Sequence, residues 1–226
     1  MNTEEEPAEE VVISLEKEDL LRRYLNHLLE ENQRMNLTAL RSPEEAWNRH
    51  IVESVRVAEY LGSPQTLLDV GSGGGVPGMV FAIMRPDIQV TLLESVEKKA
   101  RFLETAGELL GLKNLKVRAG RAELLAAPGE KMRESFDCVT ARAVAAMPTL
   151  LELTIPFLKV GGEFIAIKGQ KAEEEMRAAA QACRTLSVEL TASSRQPTAT
   201  ILSLKKTGST PQEYPRRNGE PKRKPL

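Results

Sequence analysis

Apolar residues recur at helical spacing near the start of the chain. Five of them would share one face of a first helix: Leu21, Tyr24, Leu25, Leu28 and Leu29. A second helix is predicted between Ser42 and Gly62, because Pro43 suits a first helical position and glycine suits the position after a last turn. These two patterns predict a helical N-terminal extension.

After Pro64 the pattern changes to short apolar strands that alternate with helices. The first five predicted strands are TLLDV, QVTLLES, NLKVRAG, FDCVTAR and EFIAIKG, and helices are expected from residue 77, over about 96–110, near 122–126, over about 147–158 and along 171–186. Two last strands, SVELTAS and TATILSLKK, follow with no helix between them. The alternation predicts a doubly wound α/β fold, and the final pair predicts an antiparallel addition to its parallel sheet.

Composition divides the chain into three segments. Residues 1–12 are acidic and are expected to be disordered, residues 13–206 carry the α/β domain with its N-terminal helices, and residues 207–226 form a basic tail rich in proline and glycine. The 31 basic and 32 acidic residues nearly balance, so net charge indicates nothing about nucleic acid. Two widely spaced cysteines, an acidic start and no apolar run near the roughly 20 residues of a membrane span predict a cytoplasmic protein.

Glycines cluster directly after the first predicted strand, in LLDVGSGGGVPG. Glycine costs backbone entropy, so such a run needs a reason, and the usual reason is a ligand that lies against the backbone. Asp69 with Gly71, Gly73 and Gly75 fits the acidic-x-G-x-G-x-G loop of methyltransferases that use S-adenosylmethionine. The overlapping GGGVPG fits the G-x-G-x-x-G fingerprint of dinucleotide-binding proteins.

Three features favour the methyltransferase loop. Asp69 ends its strand, where a carboxylate can hold the cofactor amine or order water near it. Glu94 ends the next strand, where a carboxylate can bond both ribose hydroxyls, although dehydrogenases share this feature. The paired terminal strands are typical of the seven-stranded methyltransferase sheet. We therefore expect a Rossmann-like class I methyltransferase fold that binds S-adenosyl-L-methionine, with a nicotinamide-dependent oxidoreductase as the alternative.

Polar residues also follow three later strands, at the edge where such sheets bind ligands. Ala122 and Glu123 follow the third strand, at a point that often frames an adenine, although an ordinary helix start is the alternative. Arg142 ends the fourth strand, where arginine is often only a surface ion-pairing group. Lys168 ends the fifth and suits a phosphate or base contact, with a surface position as the alternative. No Cys/His cluster has metal-ligand spacing, so no metal is expected.

Seven segments, in this order, resemble one bacterial family: NLTAL, RHIVES, LLDVGSGGGVPG, TLLESVEKKARFL, ARAVA, IKGQ and YPRRNGEPKRKPL. It is the ribosomal RNA small subunit methyltransferase G family, also called the glucose-inhibited division protein B family. The resemblance implies methyl transfer from S-adenosylmethionine to N7 of guanine 527, in the 530 loop of 16S ribosomal RNA. It also implies cofactor contacts at Gly71, Val76, Ala122, Glu123 and Arg142. As partners we expect the 16S RNA or a small-subunit precursor and no membrane, and we expect a monomer.

The chemistry implied by the resemblance needs few catalytic groups. Guanine N7 carries an in-plane lone pair and can attack a sulfonium methyl without losing a proton. No general base is then required, and catalysis rests on placing the two reactants in line, about 3 Å apart. Arg142 and Lys168 are the predicted catalytic residues, holding guanine O6 or a phosphate so that N7 stays free.

The tail supplies a predicted RNA-binding surface. Its basic residues are interleaved with one aromatic, a composition that suits single-stranded RNA: Tyr214, Arg216, Arg217, Lys222, Arg223 and Lys224. A merely solvated tail is the alternative. Three other functions stay open from the sequence: a methyltransferase of small molecules or proteins, a nicotinamide oxidoreductase and an RNA-binding module without activity.

Overall fold

The computed structural model describes residues 12–226 and contains one seven-stranded sheet, in the order β3-β2-β1-β4-β5-β7-β6. Strands β1 to β5 are parallel, and β7 runs antiparallel to both of its neighbours. The strands are β1 (Thr66–Val70), β2 (Gln89–Glu94), β3 (Leu115–Ala119), β4 (Phe136–Arg142), β5 (Leu158–Lys168), β6 (Val188–Arg195) and β7 (Thr200–Lys206). The predicted seven-stranded, mostly parallel sheet with an antiparallel end is confirmed.

The N-terminal helices and two helices of the α/β unit cover one face of the sheet. They are α1 (Leu15–Met35), α2 (Pro43–Ala46), α3 (Glu53–Ala58), α4 (Gly78–Met84) and α5 (Glu97–Leu109). The leucine face predicted for α1 is buried, since Leu21 and Leu28 are fully enclosed against this core. Within residues 12–226, no helix combines the length and the apolarity that crossing a membrane requires.

The opposite face carries a second core, under five helices and the C-terminal segment. These helices are α6 (Ala122–Leu125), α7 (Met147–Thr154), α8 (Ala172–Ala178), α9 (Ala180–Thr185) and α10 (Glu220–Arg223). Tyr214 and Leu226 of the C-terminal segment pack against this core.

Two predicted helices are interrupted. The helix expected between Ser42 and Gly62 widens into a π-helical stretch over Trp47–Val52, where the Ser54 hydroxyl donates to the His50 carbonyl at 2.5 Å. A hydroxyl that occupies a helical carbonyl competes with the regular backbone pattern. The helix expected along 171–186 divides at Ala179, whose N–H is shared between the carbonyls of Glu175 and Met176.

The segment 207–226 is folded onto the domain and is not a free tail. Lys206, fully buried, donates to Glu134 at 2.6 Å and to the Thr210 hydroxyl at 2.8 Å. Arg133 donates to the carbonyls of Thr210 and Tyr214 at 2.8 and 2.7 Å. These two cations, Lys206 buried and Arg133 half-buried, hold the segment against the second core. The predicted disordered N-terminus, residues 1–12, lies outside the described residues except for Val12.

Candidate functional site

The carboxyl ends of the five parallel strands bring the predicted site residues to one edge of the sheet. Asp69 of β1 lies beside Leu92 of β2 and Thr140 of β4, and Arg142 lies beside Ile167 of β5. The loops that follow β1, β2 and β3 and the last residues of β4 and β5 therefore share this edge. It is the edge at which open α/β sheets bind ligands.

The first half of the glycine loop is open to a ligand. Gly71 is exposed with φ of 73°, and Gly73 is half-buried with φ of 57°. A Cβ on Gly73 would find its nearest neighbour at 3.9 Å, so only the left-handed backbone disfavours a side chain there. The Gly73 N–H donates to the Glu94 carboxylate at 2.9 Å, which joins this loop to the end of β2.

The second half of the loop is pressed against the protein itself. A Cβ on Gly75 would lie 2.9 Å from the Tyr24 hydroxyl, and one on Gly74 would lie 2.9 Å from Leu28. The Tyr24 hydroxyl donates to the Gly74 carbonyl at 2.6 Å. Gly75 is buried and has φ of 98°, so its left-handed backbone and the packing of Tyr24 require glycine there without any ligand, and its cofactor contact stays a prediction. Val76, the next residue, is half-buried.

Asp69 supports the loop from beneath. It is 1% exposed, and its carboxylate accepts from the Thr140 hydroxyl at 3.1 Å and from the Gly78 N–H at 3.3 Å. Burial raises its pKa to about 6. The expectation that Asp69 holds the cofactor amine conflicts with this burial, because both carboxylate oxygens face groups of the protein. Its geometry is that of a brace between β1, β4 and the start of α4.

Glu94 and its neighbours form the next part of the edge. The carboxylate is 6% exposed and also accepts from the Val96 N–H at 2.7 Å. Val96, two residues after Glu94, is 48% exposed, and Leu124 of α6 is 58% exposed, so two large apolar side chains are exposed on the segments that follow β2 and β3. The sequence analysis missed both, although an apolar residue two positions after a strand-end carboxylate was a usable signal.

Ala122 and Glu123 begin α6 at this edge, but the Glu123 side chain is engaged. It is 7% exposed and accepts from the Gly219 N–H at 2.9 Å. Arg121 donates to the Asn218 side chain at 3.1 Å. The Glu123 carboxylate therefore binds the C-terminal segment in this arrangement, and the cofactor contact predicted at Glu123 stays a prediction. Half-buried Ala122 is more accessible.

Arg142 and Lys168 are both held by partners from other elements. Arg142 donates to the Arg49 carbonyl at 2.9 Å and pairs with Glu53 at 3.2 Å. Lys168, 8% exposed, pairs with Glu175 and donates to the Ala145 carbonyl, both at 2.7 Å. The prediction that Lys168 touches the substrate does not fit this burial. Lys168 instead holds the loop that follows β4, through the Ala145 carbonyl.

The C-terminal cations divide into two kinds. Arg216 is bound to Glu152, whose side chain is fully buried, through four hydrogen bonds of 2.5 to 3.1 Å from its side chain and backbone. The prediction that Arg216 binds RNA is therefore not supported. The other predicted cations are exposed, namely Arg217, Lys222, Arg223 and Lys224, while Tyr214 is half-buried against the second core.

The residues of this edge fit an adenosylated amino acid. The fit rests on the left-handed backbone of Gly71 and Gly73, which lets a ligand approach, and on the Glu94 carboxylate beside it. A carboxylate at this position suits the two hydroxyls of a ribose. The exposed side chain of Val96, two residues after Glu94, offers an apolar surface for an adenine.

Comparison with known proteins agrees with this geometry. A family model described as rRNA small subunit methyltransferase G matches residues 17–199. The ribosomal RNA small subunit methyltransferase G of Sorangium cellulosum (strain So ce56) is 42% identical over 197 residues, which cover 86% of this chain and 82% of that protein. The protein of that name from Geobacillus thermodenitrificans (strain NG80-2) is 40% identical over 228 residues, covering 96% of this chain and 95% of that protein.

Among solved structures, a SAM dependent methyltransferase from Aquifex aeolicus superimposes with a TM-score of 0.54 at 14% identity, over 70% of this chain and 92% of that one. The likeness shows the fold, which is the predicted Rossmann-like class I fold. Together with the family model it identifies the cofactor as S-adenosyl-L-methionine. The family resemblance carried by the sequence motifs is confirmed: this chain belongs to the rRNA small subunit methyltransferase G family.

Proposed function

We propose that this protein methylates N7 of guanine 527 in the 530 loop of 16S ribosomal RNA. The observation that carries the proposal is the shared sheet edge, where the open backbone of Gly71 and Gly73, the Glu94 carboxylate and Arg142 meet. Sequence similarity supports the proposal as well, since the chain is about 40% identical to proteins named ribosomal RNA small subunit methyltransferase G. The acceptor atom follows from the motif resemblance.

The bound cofactor supplies a methyl group on a positively charged sulfur. The N7 lone pair forms the new bond to the methyl carbon while the carbon–sulfur bond breaks, and that electron pair stays on sulfur. The positive charge passes to the methylated guanine, and no proton moves. A site without a general base is therefore sufficient for this reaction.

The protein then contributes to catalysis by positioning the cofactor and the target guanine. Glu94 would hold the ribose of the cofactor, and the loop over Gly71 would hold its methionine part. Arg142 stands at the end of β4, within reach of a base placed over that strand, and can turn from the Arg49 carbonyl towards guanine O6. Lys168 acts through the Ala145 carbonyl and Glu175, so we assign it a positioning role.

RNA binding falls to the exposed cations of the C-terminal segment. The backbone of Gly219, among these cations, is bound to Glu123 at the cofactor edge. Phosphates held by Arg217 and by the exposed residues 222–224 would therefore lie close to the methyl-transfer site. Each cation on a phosphate contributes about 0.7 to the salt slope of single-strand binding.

The test is mass mapping of nucleosides after incubation of unmodified 16S RNA, and of small-subunit particles, with isotopically labelled cofactor. Labelled 7-methylguanosine at position 527 is expected in one of the two substrates. Label on another base, or none in either substrate, would contradict the proposal. A change in the fluorescence of a reduced nicotinamide cofactor when it is mixed with the protein would instead favour an oxidoreductase.

A second measurement tests the roles of the two strand-end cations. In single-turnover assays at saturating RNA, Arg142→Ala and Lys168→Ala should slow methyl transfer, and Arg142→Ala should also weaken cofactor binding. Lys113→Ala is the matched control, because exposed Lys113 precedes β3 and so lies at the opposite edge of the sheet. Wild-type rates in both variants would show that Arg142 and Lys168 serve only as ion-pairing groups.

A further inference from the structure

A pocket opens beside Arg142, between the N-terminal helices and the turn that joins β6 to β7. Its apolar wall includes Ile167 and Pro197, and its charged side chains are those of Arg142, Arg56 and Glu53. The cavity holds only about 20 Å³, so the edge of a ligand can meet its mouth but a whole base cannot enter it. A few placed polar groups beside an apolar lining are what orients a polar ligand.

The pocket lies next to the methyl-transfer edge. Arg142 ends β4, which pairs directly with β1 and its glycine loop. Val144, two residues later, packs so closely on Gly71 that a Cβ there would lie 2.7 Å from it. Adjacent strands of a sheet are about 4.8 Å apart. A base edge held by Arg142 at the mouth of the pocket would therefore stand one strand away from the cofactor loop.

Glu53 lies at the mouth of this pocket and makes two contacts there. One carboxylate oxygen pairs with Arg142 at 3.2 Å, and the other accepts from the Thr198 hydroxyl. The Glu53 side chain is 14% exposed and that of Arg142 is 18% exposed. An anionic acceptor and a cationic donor thus stand side by side at the pocket mouth, each with a partner that it can exchange.

We propose that Glu53 reads the target guanine, accepting its N1–H and 2-amino hydrogens while Arg142 donates to O6. This inference rests on the proposed function and names the residue that selects the base. Guanine presents O6, N1–H and the 2-amino group in a row, which matches a donor beside an anionic acceptor. In adenine a bare N1 would face the carboxylate, so adenine is rejected.

This arrangement leaves N7 free. N7 lies on the other side of O6 from N1, so a guanine held by its Watson–Crick edge turns N7 away from Glu53. The proposal gives a chemical role to the RHIVES segment, residues 49–54. Glu53 selects the base, and the Arg49 carbonyl holds Arg142 until the base binds.

The test uses RNA in which inosine replaces the target guanosine. Inosine keeps N7, O6 and N1–H and lacks only the 2-amino group, so it removes one charge-assisted hydrogen bond to Glu53. Wild-type protein should methylate the guanosine RNA about 10-fold faster than the inosine RNA in single-turnover assays at subsaturating RNA. In Glu53→Gln both rates should fall, and their ratio should decrease, because a neutral amide oxygen accepts a weaker hydrogen bond from the 2-amino group than a carboxylate does.

Two outcomes would overturn the inference: equal wild-type rates on the two RNAs, or an unchanged ratio in Glu53→Gln. The second outcome would mean that Glu53 acts only by orienting Arg142. Glu45→Gln is the matched control, because Glu45 also pairs with an arginine, at 3.7 Å, yet is 51% exposed outside the pocket. The ratio of the methylation rates on the two RNAs is first measured with the wild-type protein, so misfolding of Glu53→Gln would not prevent that test. Wild-type protein that forms no 7-methylguanosine would refute the proposed function itself.

Discussion

Two neighbouring arginines of the C-terminal segment should respond to substitution in opposite ways. Arg216 is 17% exposed and forms a forked ion pair with Glu152, which is fully buried, whereas Arg217 is exposed. Arg216→Ala should therefore lower stability with little direct effect on RNA contact. Arg217→Ala should weaken RNA binding and leave stability nearly unchanged.

The size of the stability loss follows from the buried carboxylate. Arg216→Ala leaves the side chain of Glu152 without its cation in a fully buried position. Breaking a buried ion pair by removing one partner costs about 3–5 kcal/mol. In a chain of about this length, 1 kcal/mol shifts Tm by roughly 2–4 °C, so a drop of about 6–20 °C is expected. Arg217→Ala, a surface change, should stay within about 0.5 kcal/mol of wild type.

The assays are thermal and urea unfolding followed by circular dichroism, and RNA affinity measured against salt concentration. Arg216→Lys keeps the charge but not the two-pronged geometry, so its loss of stability should be intermediate. A wild-type Tm for Arg216→Ala together with a reduced salt slope would refute the reasoning. It would show that Arg216 leaves Glu152 and serves RNA.

Three further predictions concern the loop and the tail. Tyr24→Phe should weaken cofactor binding measured by calorimetry, because it removes the brace on the Gly74 carbonyl; Tyr60→Phe, which loses a hydroxyl bonded to Ser194, is the control and should not. Burial raises the pKa of Asp69 to about 6, so ionising it costs stability as pH rises from about 4 to 6. The stability of Asp69→Asn relative to wild type should thus increase by up to about 3 kcal/mol between pH 4 and pH 7, and a constant difference in urea unfolding would contradict this. Deleting residues 208–226 should sharply lower Tm and also weaken cofactor binding, because Lys206 and Glu123 lose their partners; unchanged calorimetry and melting would count against it.

The sequence by itself determined the architecture and the location of the site. Alternating strands and helices, with two strands at the end, were enough to predict the sheet and its antiparallel addition. Glycines after β1 and a carboxylate at the end of β2 were enough to predict the cofactor edge, because parallel strands bring their carboxyl ends together. The order of short motifs was enough to identify the family.

Only the tertiary structure decided which of the predicted residues are free to act. Asp69 and Glu123 end or follow strands as expected, yet both carboxylates are used inside the fold. Arg216 belongs to a basic stretch, yet its partner Glu152 comes from a helix 64 residues earlier in the chain. A sequence pattern records local backbone preference and side-chain type. The availability of a charge depends instead on partners that the topology brings from distant segments, and these partners become known only when the chain is folded.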